Sequence, residues 1–170
     1  RRRVHGAGLF EQGRHGGGPM KALKTLIEEC RSGEADYQAL IDRVPYARFL
    51  GIQVIAQGDE LTFVLPKHDN VVGNPTLPAL HGGAVAGFME QAAIIFILLQ
   101  MGEPKVPKTI DFTIDYLRAG LFRNTYAECS VTRLGRRIAN VHISAWQKNR
   151  QEPITIARAH FLLSDDGSTD

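Results

Sequence analysis

The strongest pattern in the chain is a run over residues 84–101 that is apolar at almost every position, with Phe88, Met89, Ala92, Ile95, Phe96 and Leu99 covering two faces of a helix. Nothing that breaks a helix occurs before Gly102, so the run predicts one long helix buried on most sides. Ahead of it, Asn74-Pro75-Thr76-Leu77-Pro78-Ala79-Leu80-His81-Gly82-Gly83 carries two prolines that deny helix and glycines that allow a tight turn and close approach to bare backbone. Upstream, Leu23, Leu26, Ile27 and Cys30 give a short amphipathic helix over residues 20–31, stopped by Ser32-Gly33. A second short helix is predicted over 35–44, ending before Pro45. Residues 45–51 lead into a strand at 52–56, Gly58-Asp59 signals a hairpin turn, and 60–65 returns as its partner. Residues 66–72 read as a loop.

After the helix, residues 102–107 are a Gly- and Pro-bearing break. Alternation over 109–117 then puts Ile110, Phe112, Ile114 and Tyr116 on one strand face, and Thr109, Asp111, Thr113 and Asp115 on the other. Two further strands, 124–133 and 137–146, pair across Leu134-Gly135-Arg136, and a last one spans 153–163. The expected layout is α+β: two strands, one buried helix and four strands, forming a curved antiparallel sheet around a long central helix, with short N-terminal helices.

Composition narrows the function classes. The chain has 170 residues, which suggests one domain, and a formal charge of +2, which argues against a nucleic-acid binder working through electrostatics. Cys30 and Cys129 are far apart and lack a metal-ligand pattern, so both are expected to be reduced thiols in a cytoplasmic protein without a metal site. Residues 1–19 are basic and glycine-rich, without the apolar core of a secretory signal. They are expected to be a disordered leader, with Met20 a candidate start; His5 and His15 have no partners in it. Residues 15–18 match an oxyanion-hole tetrapeptide, but no G-x-S-x-G nucleophile elbow accompanies them. A membrane span is disfavoured, since Glu90 sits within the apolar helix.

Glu90 is the residue that asks for chemistry. A carboxylate in a nearly all-apolar helix costs several kcal/mol, in rough terms, unless it is paired or hydrogen-bonded. A structural partner at the rim would supply that. So would catalysis: the N–H groups that open the helix have no internal partners and suit a developing anion, and Glu90 lies two turns further on as a base or nucleophile.

The motifs HGGAVAGFMEQAA (81–93), KTIDFTIDYLRAG (108–120) and VTRLGRRI (131–138), followed by a final strand through 157–161, resemble the hotdog-fold acyl-CoA thioesterases of the phenylacetic-acid-degradation (PaaI-like) type. The resemblance covers roughly residues 49–163. It implies N-terminal helices over 20–48, a hotdog domain over 49–164 and a flexible tail over 165–170. It also implies a catalytic carboxylate nine residues after the motif His; Glu90 fills the position usually held by Asp. The Gly82 N–H is implied to polarise the thioester carbonyl, with Asn74, or Asn70 in its stead, and Thr109 positioning water or the carbonyl. His81 is expected to hold the loop by its ring. Gly83, Arg118, Arg136 and Arg137 are candidate substrate-binding residues, the arginines for the phosphates of coenzyme A. No cofactor is implied beyond the coenzyme A carried by the substrate. The resemblance further implies dimers, paired into homotetramers, with Gly82 and Glu90 of one site coming from opposite subunits. Two alternatives stay open: a hotdog hydratase or dehydratase on acyl thioesters, and a non-catalytic acyl-CoA binding module.

Overall fold

The computed structural model describes residues 19–163. Residues 1–18 of the expected leader, with the tetrapeptide at 15–18, and the tail beyond 163 lie outside the described residues, while Pro19 belongs to a helix and not to the leader.

Three helices open the described residues. The first, α1 (Pro19–Ser32), begins with a proline at a position where its missing N–H is no loss. Next, α2 (Tyr37–Ile41) is capped by Asp36, whose carboxylate accepts the Gln38 N–H at 2.9 Å. The connector expected at residues 45–51 is instead a third short helix, α3 (Pro45–Phe49), again started by a proline. The hairpin β1 (Gln53–Gln57) and β2 (Glu60–Leu65) follows. Within the expected loop, a single 3-10 turn (Asp69–Val71) leads into a small hairpin, β3 (Val72–Asn74) and β4 (Ala79–Leu80), that the proline-rich sequence conceals. Helix α4 (Gly82–Met101) then runs 20 residues to Gly102, whose φ of 67° is the left-handed closure that favours glycine. The remaining strands are β5 (Lys108–Tyr116), β6 (Thr125–Leu134), β7 (Ile138–Trp146) and β8 (Thr155–Leu162).

The main sheet is antiparallel with the order β1-β2-β6-β7-β8-β5, and it curls around α4. Inward-facing Phe63, Ala127, Val141, Ile143, Ala157, Ala159 and Phe161 meet Phe88, Met89, Ala92, Ile95 and Ile97 of the helix, all buried. By length and composition α4 could cross a membrane, but half of its most apolar window is buried within this domain. Strand β2 pairs with β6 only from Phe63 to Leu65; beyond that the two diverge around a cleft of about 490 Å³. Across it Arg150 reaches both Glu60 and Glu128. Among the described residues, strand β5 pairs with β8 alone and is an edge.

The β5–β8 register corrects the strict alternation expected of residues 109–117. Thr109 pairs with Phe161 and Asp111 with His160, so two steps along β5 match one along β8 and Ile110 is the extra residue of a β-bulge. Thr109 therefore shares the inward face with Phe112 and Ile114 rather than the outward face with Asp111. Asp111 sits outside, where its carboxylate meets His160 Nδ1 at 3.1 Å and ties the bulge to β8.

Candidate active site

The site is built from the start of α4 and the strand that flanks it. His81 is the N-cap, extended at φ −69° and ψ 126°. Its ring Nδ1 accepts the Gly83 N–H at 3.0 Å, and its carbonyl accepts those of Ala84 and Val85 at 3.0 and 3.1 Å. Of the N–H groups that open a helix without internal partners, this leaves the Gly82 N–H with no acceptor among the described residues. It points from the positive end of a 20-residue helix. The two glycines belong to the helix itself, as its first two residues, and not to a turn ahead of it.

Neighbouring segments hold this turn in place. The His81 N–H donates to the Val71 carbonyl and the Leu80 N–H to that of Gly120, both at 2.8 Å. Gly73 passes so close that a Cβ there would lie 2.6 Å from the His81 Cα. From the end of β5, the Tyr116 hydroxyl donates to the Gly82 carbonyl at 2.7 Å. Burial raises the Tyr116 pKa above its ordinary value, keeping the phenol protonated and a donor.

Glu90 lies further along α4, on the side facing the other end of β5. The Thr109 hydroxyl donates to Glu90 Oε1 at 2.7 Å, and Oε2 has no partner among the described residues. The carboxylate is thus oriented by one oxygen and available at the other. Eight residues separate Gly82 from Glu90 on the helix, a rise of about 12 Å.

The other candidates fall in separate places. Asn74 ends β3, and its Oδ1 accepts the N–H groups of Thr76 and Leu77 at 3.0 and 3.2 Å, shaping the loop between Pro75 and Pro78. Asn70 lies in the 3-10 turn and is exposed. The Arg118 guanidinium donates to the Pro153 carbonyl at 2.6 Å, at the Tyr116 end of β5. Arg136 and Arg137 lie at the opposite end, in the β6–β7 turn, where they line a cavity of about 460 Å³ with Arg133, Asn140 and His160. Gly83 stays exposed beside His81. Among the described residues, no cluster of three His, Cys, Asp or Glu side chains could hold a metal.

Sequence reasoning missed three residues that shape the site. Tyr116 carries a signal in hindsight, since the alternation puts it on the inward face at a strand end, where a core residue would need no hydroxyl. Gly73 is a glycine inside a strand, a mark of close backbone approach. Tyr46 of α3 stacks on Phe49 with centroids 6.1 Å apart, and its hydroxyl lies 2.7 Å from where a Cβ on Gly87 would sit. Gly87 is three residues before Glu90, on the same side of α4.

Comparison with known proteins agrees with this architecture. Residues 77–154 match the model of the thioesterase superfamily. A crystal structure of a Chromobacterium violaceum protein is 37% identical over 83% of this chain and 98% of that one, with a TM-score of 0.66. At the level of fold, a Bacillus halodurans protein crystallised with CoA superposes with a TM-score of 0.64 at 18% identity, over 89% of this chain and 98% of its own. The E. coli PaaI protein of the phenylacetic acid degradation operon does so with a TM-score of 0.61 at 17% identity, over 81% and 98%. No curated protein matches the chain in sequence. A helix wrapped by this sheet order, a matched family region and a relative aligned along nearly its whole length lead to one assignment: the chain belongs to the thioesterase superfamily and has the hotdog fold.

Proposed function

We propose that the protein hydrolyses acyl-CoA thioesters to a free acid and coenzyme A. The observation that carries this reading is a carboxylate on α4 oriented by the Thr109 hydroxyl, on the same helix whose first N–H has no acceptor among the described residues. The Gly82 N–H donates a hydrogen bond to the thioester oxygen as negative charge develops on it during attack. Glu90 acts in one of two ways. As nucleophile, its Oε2 bonds to the acyl carbon, the C–S bond breaks, coenzyme A leaves, and water then hydrolyses the anhydride. As base, it takes a proton from a water that attacks the acyl carbon, and returns the proton to the departing thiolate. The extra methylene of Glu over the family's usual Asp moves the carboxylate by about one carbon–carbon bond, ~1.5 Å.

The separation of about 12 Å between Gly82 and Glu90 calls for a second copy. Edge strand β5 supplies the means, because antiparallel pairing with itself would lay the Tyr116 end of one chain against the Thr109 end of the next. Ile110 and Tyr116 on that strand are 55% and 54% exposed, and Val106 just before it is 56% exposed, as an uncovered contact would leave them. The resulting dimer, paired again into a tetramer, would bring Arg118 of one chain toward Arg136 and Arg137 of the other as the coenzyme A phosphate site. The two free cysteines suit a reducing compartment such as the cytoplasm.

The test is thiol release from a panel of acyl-CoA esters (phenylacetyl, benzoyl, and short, medium and long aliphatic) by the wild type and a folded Glu90→Ala variant. Turnover that vanishes in the variant supports the assignment. Turnover indifferent to Glu90 would sink the mechanism, and no turnover on any ester would favour a binding module. Single-turnover hydrolysis in 18O water then tests the nucleophilic route, since label in the Glu90 carboxylate requires an anhydride cleaved at its Glu90 carbonyl.

A further inference from the structure

We infer that Tyr116 is a positioning residue for the thioester carbonyl, its hydroxyl anchoring the first turn of α4, and with it the place of the Gly82 N–H, by holding the Gly82 carbonyl 2.7 Å away. The inference rests on the thioesterase reading above. The first turn of α4 opens with two glycines, which bring no side chains to pack and the widest conformational freedom of any residue. The His81 ring bonds to Gly83 two residues on, so it shapes the turn but moves with it. Tyr116 is different because it belongs to β5, and it anchors the turn to the sheet.

Space-filling does not account for the hydroxyl. A Cβ on Gly82 would lie 3.1 Å from the Tyr116 Oη and 3.2 Å from Cζ, so the ring already occupies the place of a side chain, and phenylalanine would fill it equally well. With 54% of its surface exposed, Tyr116 also adds little to the core of a single chain. The same strand holds Glu90 through Thr109 at its other end. One rigid element therefore sets both the carboxylate and the carbonyl-binding N–H, and strand pairing between copies would fix their mutual distance.

The test compares Tyr116→Phe with wild type in steady-state hydrolysis, and uses infrared difference spectra of a 13C-carbonyl thioester bound to Glu90→Gln protein with and without the Tyr116→Phe change. The expected result is a kcat lower by about three- to tenfold, the worth of one ordinary hydrogen bond, with KM, melting temperature and oligomeric state held. The bound carbonyl stretch should move back toward its solution frequency, a readout that a merely structural role would leave alone. An unchanged kcat, or a lowered kcat with an unchanged stretch, overturns the inference. A wild type that hydrolyses no ester overturns the thioesterase reading and this inference with it, an outcome distinct from an active wild type indifferent to the hydroxyl.

Discussion

The Thr109 hydroxyl reaches Glu90 Oε1 at 2.7 Å because Ile110 is one residue too many for the β5–β8 ladder. Without the bulge, the two-residue period of a strand would turn Thr109 outward together with Asp111. The outward pair of Asp111 with His160 at 3.1 Å pins the strand just beyond the inserted residue. A local irregularity in the sheet is what hands the carboxylate its hydrogen-bond donor.

Thr109→Val, nearly equal in size, should therefore lower kcat by about tenfold or more, the range for losing a hydrogen bond to a charged group. Thr109→Ser should keep most of the activity. Deleting Ile110 should restore regular pairing with Thr109 still opposite Phe161 on the inward face, and so keep most of the activity. Hydrolysis rates of the three proteins check this, with circular dichroism confirming that each is folded.

The architecture was legible in the sequence to the extent that its signals are periodic. The apolar helix and the alternating strands need long repeats of burial, and those leave a pattern that survives one or two exceptions. The orientation of Thr109 does not, because a bulge shifts the phase by one residue and residues 109–116 alternate without a break. The resemblance pointed to Thr109, but the strand pattern placed it on the wrong face. The short hairpin β3–β4 and helix α3 were hidden for a related reason: two- to five-residue elements fixed by tertiary hydrogen bonds leave no period to detect. Tyr116 and Gly73 act through single contacts between distant segments, which one sequence cannot pair.

Gly73 faces the backbone of His81: a Cβ added to it would lie only 2.6 Å from the His81 Cα and 3.0 Å from its N, and backbone cannot rotate aside. Gly73→Ala should push the N-cap away from Val71, costing about 1–3 kcal/mol of stability as overpacking does. Because His81 carries the Gly82 N–H, activity at a temperature well below unfolding should fall as well. Thermal denaturation together with thiol-release assays would show both effects.

Arg136 and Arg137 should act on substrate binding rather than on chemistry. Replacing both with Glu is expected to raise KM for acyl-CoA by about tenfold or more, the scale of a lost charge-assisted contact, with kcat nearly unchanged. An acyl-pantetheine substrate, which lacks the nucleotide phosphates, should show no such change. A KM that rises equally for both substrates would assign the arginines to structure.

Tyr46 lies over Gly87 one turn before Glu90 and is 44% exposed, so it can line the acyl group in its approach to the carboxylate. Tyr46→Ala should shift kcat/KM toward bulkier acyl chains, by about tenfold relative to short ones. Gly87→Ala should leave stability level or improved, since alanine gains about 1 kcal/mol over glycine inside a helix and the colliding atom ends a rotatable, half-exposed ring. A panel of acyl-CoA esters and a melting curve would check the pair.

Cys30 sits fully buried in α1, where its thiol donates to the Asp36 carbonyl at 3.5 Å. Burial first, then the negative charges of Asp36 and Glu29, raise its pKa above the ordinary 9.0. The folded chain thus holds this proton at a pH where the unfolded chain releases it. Stability from the protonated thiol is fully present below pH 9.0 and is lost as pH rises toward the folded value. Denaturant unfolding of wild type should therefore weaken above that pH more steeply than unfolding of Cys30→Ala, which has no thiol to titrate. The alanine variant starts from a lower stability because a buried side chain has been trimmed. The informative quantity is accordingly the slope against pH and not the height of the curve, and parallel slopes for the two proteins would refute the linkage.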